Sequence, residues 1–215
     1  VVIAMEKLTL YVDGFYISPY ALSAFVALEE KRLPYELHEV PLQARAQHDA
    51  SYRARTNRVP ALQHGDFWLA ESQAIAEYLA ETFPSPDHPR LFPENLRERA
   101  ICREIMSWVR SDLMPIREER STHTVFYEHT KTPLSAAGLE AAARLVRACD
   151  ALISDRPTLF GQWCIADVDL GMMLMRLRAN GDPLPPKIAA YADAQWARPS
   201  VRKWVERKRP PYVAY

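Results

Sequence analysis

The chain has 215 residues, enough for one large domain or two small ones, and too many to depend on disulfide or metal staples. Lys plus Arg and Asp plus Glu both number 27, so the formal net charge is zero and no global field draws the chain to nucleic acid or an anionic membrane. With 48% hydrophobic and 25% charged residues, wholesale disorder is excluded.

Short strand-like and helical runs alternate up to about residue 84. Leu8-Thr9-Leu10-Tyr11-Val12 is rich in β-formers and ends at the turn dipeptide Asp13-Gly14. Ser18-Pro19 opens a helix with Leu22, Phe25 and Val26 on one face, closing in Glu29-Glu30-Lys31. Tyr35–Val40 alternates like a second strand, and the polar stretch Gln43–Thr56 predicts a short, irregular helix. Val59-Pro60-Ala61-Leu62 and Phe67-Trp68-Leu69 flank His64-Gly65-Asp66, a hairpin signal. From Ser72 a helical pattern returns, with Ile75, Tyr78 and Leu79 on one face. A β-α-β start demands a crossover and hence a parallel pair, and the hairpin adds antiparallel strands. The order β-α-β-α-β-β-α describes a thioredoxin-like sheet.

Phe83-Pro84-Ser85-Pro86-Asp87-His88-Pro89 is too proline-dense for regular structure and reads as a linker. The expected domains are therefore 1–84, α/β, and 94–215, all-α, joined by 85–93. In the second, Glu94–Arg120 is a helix kinked or ended by Pro115, Pro133–Ser154 a second, and Asp167–Arg178 a third that stops at Asn180-Gly181. Pro199–Lys208 is a last short helix. There are no repeats and no glycine-rich phosphate loop.

Three cysteines, Cys102, Cys149 and Cys164, contain no C-x-x-C pair, which argues against a disulfide framework or zinc knuckle and fits a reducing cytosol. His123 and His129 are wrongly spaced for one helical face, and His-Glu-x-x-His is absent, so no metal is expected. No run approaches the roughly 18 apolar residues of a membrane span. Val1–Met5 has no features of an export signal, and Met5 reads as a start preceded by a few extra residues. A cytoplasmic protein without membrane or nucleic-acid partners is the expectation. Arg202-Lys203 and Arg207-Lys208-Arg209, around Trp204, read as a solvated terminal helix, with an acidic partner or nucleic acid as the alternative. Arg117-Glu118-Glu119-Arg120 likewise reads as a solvated face, or as an arginine meeting an anionic substrate.

Two constellations carry chemistry. Ser18-Pro19-Tyr20-Ala21 is, taken alone, a helix cap: Ser accepts from an orphan amide and Pro suits the first helical turn. Its place after the first strand is where glutaredoxins carry Cys-Pro-Tyr-Cys. With both sulfurs replaced, by Ser18 and Ala21, the segment cannot exchange disulfides, yet a helix N-terminus with a hydroxyl donor can hold another molecule's thiolate. The second is Val59-Pro60 with Glu71-Ser72. A proline entering a strand is either trans at an edge or cis, the latter turning Val59 outward towards an extended peptide ligand. Ser72 is either a plain N-cap or part of a site where a ligand carboxylate meets a helix N-terminus, with Glu71 accepting from the ligand's ammonium.

Taken in order, Ser-Pro-Tyr, Val-Pro-x-Leu and Glu-Ser-x-Ala-Ile-x-x-Tyr-Leu, followed by an all-helical segment, resemble the glutathione transferases along essentially the whole chain. The strings Ser111–Arg120 and Gly161–Asp167 are similar to the bacterial YfcF-type transferases. The resemblance implies that Ser18 stabilises the glutathione thiolate, that the Val59 backbone beside cis-Pro60 pairs with the cysteinyl part, and that Glu71 and Ser72 hold the γ-glutamyl end. For the glycyl carboxylate the candidates are Gln47, His48 and Arg58. It also implies a homodimer and an electrophile site between the domains, against the first long helix of the second. Trp108, Ser111 and Met114 are its candidates there; core packing of Trp108 and Met114 is the other reading.

Two departures from the family pattern stand out. Arg55-Thr56-Asn57-Arg58 replaces the usual Asn-Pro-x-Gly before Val-Pro, and Cys164 stands where Ser or Thr commonly caps the buried helix, leaving Asp167 to reach back. Tyr11, Tyr16 and Tyr20 are the alternative activators to Ser18. The expected reaction is thiolate attack on a carbon electrophile or a peroxide; an isomerase is disfavoured because Ser-Ser-Cys is missing. The alternative from another class is a transferase-like binding protein that has given up glutathione.

Overall fold

The computed structural model describes residues 6–153 and 156–214; Met5 and Ser154, each given a role above, lie outside them. The chain divides into two compact units, Val1–Pro89 with Arg207–Tyr215, and Arg90–Glu206. The last nine residues, grouped by the sequence with the helical segment, thus belong with the first unit.

In the first unit, β1 (Leu8–Asp13) alternates faces, with Leu8, Leu10 and Val12 fully or almost fully buried. The helix α1 (Pro19–Lys31) follows, then β2 (Glu36–Val40), which pairs with β1 in parallel as the crossover requires. The short, irregular helix expected around Gln43–Thr56 takes the form of two 3-10 turns, Leu42–Ala44 and Ala46–His48. The hairpin β3 (Ala61–His64) and β4 (Phe67–Ala70) turns through Gly65 at φ 57°, a conformation that costs glycine nothing. The strand order is β2-β1-β3-β4, and α2 (Ser72–Thr82) packs against α1. The opposite face of the sheet carries Tyr11, Tyr52 and Trp68 over a smaller core of Val40, Ala54 and Ala61.

The second unit is helical: α3 (Leu96–Ser111), α4 (Met114–Glu119), α5 (Thr122–Phe126), α6 (Ala136–Leu152), α7 (Ile165–Arg178), α8 (Pro186–Trp196) and α9 (Pro199–Val205). The break expected at Pro115 falls earlier, at Asp112 and Leu113, the latter at φ 59°. Pro115 sits in the first turn of α4, where its missing N–H costs nothing. Nearly every residue of α7 is buried, so it forms the centre on which α3 and α8 pack. Trp204 is also wholly buried, and α9 ends before Arg207, which removes the terminal basic patch as a single helical surface. Arg120 is no solvated residue either: it is 2% exposed and pairs with Asp182 at 2.6 Å.

Candidate functional site at one end of the sheet

Strand register gathers the marked residues. β1 runs from Leu8 to Asp13, and Ser18 follows its far end. β3 is antiparallel, with Ala61 opposite Tyr11, so Val59-Pro60 enters the sheet at that same end. β4 runs back with Ala70 opposite Ala61, so Glu71-Ser72 leaves there too. Three adjacent strands about 4.8 Å apart thus space the three motifs over roughly 10 Å, the span of about three extended residues. Both α1 and α2 begin at this end, so their unpaired amides and positive partial charge converge on it. A separate cleft lined by Glu6, Lys7, Leu8, Pro34, Tyr35 and Glu36 lies at the opposite end of β1.

Ser18 is the N-cap of α1, with Oγ accepting from the Ala21 amide at 3.2 Å and Pro19 in the first turn. The cap uses the oxygen as acceptor and leaves the O–H as a donor, so the capping and the functional reading are compatible. The loop before it is tied by a residue read from the sequence only as part of a turn. Asp13, with no exposed surface, accepts from the Ile17 amide at 2.8 Å and from the Ser18 amide at 3.2 Å. Burial raises its carboxyl above the usual range, against the pull of those amides. The signal available in the sequence was an acid ending a buried strand.

Of the alternative hydroxyls, Tyr11 donates to Gln63 at 2.8 Å. Tyr16 donates to Glu39, and burial together with that bond pushes its phenol up to about 12. Neither is poised to ionise a neighbouring thiol. Tyr20 is two residues beyond Ser18 in the first turn of α1.

Val59–Pro60 is a cis peptide bond, the second of the two alternatives above. At the start of α2 the cap position belongs to Glu71 rather than Ser72, and its side chain makes no capping bond. Glu71 is held at φ 70°, ψ 114°, a region where non-glycine residues rarely sit and which costs of order 1–3 kcal/mol. Its side chain is exposed, while Ser72, the first helical residue, is 3% exposed. Among the glycyl-end candidates, Arg58 and His48 are exposed and the Arg58 carbonyl accepts from the Tyr52 hydroxyl at 2.6 Å. Gln47 is half-buried, and its Oε1 has no hydrogen-bond partner among the described residues.

On α3, Trp108 and Ser111 are spaced for one face; Trp108 Nε1 donates to Asp112 at 3.1 Å and Ser111 to the Ser107 carbonyl at 3.0 Å. Met114 lies beyond the break, on α4, so helical spacing from Trp108 no longer places it. It is 44% exposed and Trp108 is half-buried, so neither is a core residue. Arg110 and Arg117 are engaged in the fold, Arg110 with Asp169 at 2.6 Å and Arg117 with the Arg110 carbonyl at 2.7 Å. Among the described residues no cluster of His, Cys, Asp and Glu could hold a metal ion. Nor, among them, is any helix long and apolar enough to cross a membrane.

A four-stranded thioredoxin-like sheet with a helix opening after β1, followed by a helical unit, defines the architectural class of the protein. Residues 13–87 match the glutathione S-transferase N-terminal domain and residues 95–208 the glutathione S-transferase C-terminal domain. The chain belongs to the glutathione S-transferase family. It is similar to a glutathione transferase homolog from Burkholderia GL BGR1 solved with bound glutathione, at 45% identity and a TM-score of 0.79 over 93% of this chain and 97% of that one. It is also similar to the theta-class enzyme of Xanthomonas axonopodis pv. citri with glutathione bound, at 26% identity and a TM-score of 0.72 over 95% and 99%. Mouse (Mus musculus) glutathione S-transferase theta-1 is 28% identical over 197 residues, 86% of this chain and 80% of the mouse protein.

Proposed function

We infer that this protein is a glutathione transferase that ionises the glutathione sulfur at the start of α1 and directs it at an electrophile. The observation that carries this reading is the register that brings Ser18, Val59-Pro60 and Glu71-Ser72 to one end of three neighbouring strands. The Ser18 hydroxyl donates to the sulfur, the Val59 backbone pairs with the cysteinyl segment, and Glu71 with Ser72 holds the γ-glutamyl ammonium and carboxylate. Arg58, next to Val59 and exposed, meets the glycyl carboxylate, with the half-buried Gln47 and the exposed His48 as the other candidates.

Magnitudes support the division of labour. Lowering a thiol from about 8.5 by two units needs about 2.7 kcal/mol of preference for the anion. One charge-assisted hydrogen bond, worth roughly 1.5–3 kcal/mol, with a helix N-terminus adding about 0.3–1 kcal/mol, is of that size. The electrophile rests against α3, where Trp108 and Ser111, with Met114 on α4, line its site. Carbon conjugation and reduction of a peroxide with oxidation of glutathione draw on the same ionised sulfur. The strings Ser111–Arg120 and Gly161–Asp167 support placing the chain beside the bacterial YfcF-type enzymes, as a homodimer in the cytoplasm, where its free thiols Cys102, Cys149 and Cys164 stay reduced. Retention of all three glutathione-facing motifs weighs against a binding protein that has abandoned the tripeptide.

Ultraviolet titration of bound glutathione tests the central claim. Ser18→Ala raises the pH at which thiolate absorbance appears by one to two units, about 1.4–2.7 kcal/mol, and leaves the protein retained on glutathione–agarose. An unchanged titration moves the role to a backbone amide or Tyr20.

A further inference from the structure

The C-terminal residues of the first unit pack on the loop that delivers Ser18. The Arg207 guanidinium lies over the Tyr16 ring at 4.8 Å and over Phe25 at 5.4 Å, and Tyr212 meets Phe15 at 5.3 Å between ring centres. Arg209 donates through Nη2 to the Tyr16 carbonyl at 3.2 Å and through Nη1 to the Arg207 carbonyl at 3.1 Å. Tyr16 is fixed on every side: φ is 53°, its amide donates to the Asp13 carbonyl at 3.1 Å, and its hydroxyl donates to Glu39. A bulky residue in the left-handed region persists only where its surroundings over-determine it.

We propose that Arg209 is a positioning residue for Ser18, clamping the 13–18 loop from the tail while Asp13 clamps it from the strand. The two act on the same peptide group. Asp13 takes the amides of Ile17 and Ser18, and Arg209 takes the carbonyl of Tyr16, which belongs to the same peptide unit as the Ile17 amide. That peptide is therefore held at both its N–H and its C=O, and Ser18 follows one residue later. Burial raises the Asp13 carboxyl, and Arg209 opposes that only weakly, after the amides that Asp13 accepts from. Charged groups facing the loop include Asp13 and Glu39 on the strands, and Arg207 and Arg209 from the tail. None of them needs to touch the sulfur; they set where the Ser18 hydroxyl stands.

The proposal rests on Ser18 being the thiolate's donor, so the test is a double-mutant cycle read on the thiolate titration of bound glutathione. Arg209→Met raises the thiol pKa by about half a unit in the otherwise native protein and has no effect in the Ser18→Ala background. Arg209→Lys, which keeps the charge and loses the fork, gives a smaller shift of the same sign and serves if Arg209→Met does not fold. If Arg209→Met leaves the titration unmoved while Ser18→Ala shifts it, the positioning role is overturned and Ser18 stands. A shift that persists in the Ser18→Ala background also overturns the proposal, because Arg209 then acts on the sulfur by its charge. If Ser18→Ala alone changes nothing, the Ser18 reading fails and takes the proposal with it.

Discussion

Glu71 carries an unfavourable backbone conformation without making a capping bond, and in the proposed function its carboxylate serves the ligand instead. Glycine adopts φ 70° without penalty, so Glu71→Gly raises stability by about 1 kcal/mol while weakening glutathione binding roughly 10- to 100-fold through loss of the carboxylate. Thermal melts of the unliganded protein paired with calorimetric titration check both halves; a variant that loses stability along with affinity would show that Glu71 serves the helix. At this scale the sequence marked candidates where a residue type is unusual for its place, Ser18 where a cysteine is expected, a proline at a strand entrance and an acid before a helix, and of these the structure bears on the proline, whose peptide bond is cis. Asp13 was not legible, because an Asp-Gly pair reads as a turn whether or not its carboxylate folds back on the amides of Ile17 and Ser18. Nor could Ser72 be told from Glu71 as the cap, since which of two neighbours takes the non-helical dihedral is decided by the site.

The central helix α7 depends on its first turn. Asp167, wholly buried, accepts from the Leu159 amide at 2.9 Å, the Cys164 amide at 2.8 Å and the Tyr191 hydroxyl at 2.7 Å, tying the preceding loop and α8 to one carboxylate. The reach back from Asp167 to Cys164 is the one its spacing suggested. Asp167→Ala strands three buried donors and costs about 3 kcal/mol or more. Burial raises the Asp167 carboxyl above its ordinary 3.8. An acid raised on folding adds stability that is complete below its unfolded value and is lost as pH rises through the folded one. The advantage of the native protein over Asp167→Asn therefore narrows from about pH 4 upward and then levels off, which urea melts at stepped pH will read. A gap that widens with pH would mean that the amides outweigh desolvation. Element boundaries were less legible than elements: Pro115 marked a disruption, but a proline sits as readily in the first turn of a new helix as at the end of an old one. The short α5 and the proline-flanked α8 have too few periodic positions to stand out within a segment that reads as helical throughout.

For the whole molecule, the division into sheet and helical units followed from the change in periodicity at the proline-rich linker. The return of residues 207–215 to the first unit did not, because a tail without periodicity carries no record of its partner. The residues proposed to face glutathione all fall within 1–89, so on that reading the ligand stabilises this unit directly. At glutathione one hundred times its Kd, mass action adds about 2.7 kcal/mol, which for a chain of this size is a rise of roughly 5–10 °C in melting temperature. Ser18→Ala keeps most of that rise, because the hydroxyl discriminates thiolate from thiol more than bound from free tripeptide. Glu71→Gln loses most of it, because the γ-glutamyl ammonium forfeits its partner. Scanning calorimetry across a glutathione series separates the two subsites. Equal loss in both variants would merge binding and ionisation into one event, and a melting temperature indifferent to glutathione would remove the tripeptide from this end of the sheet.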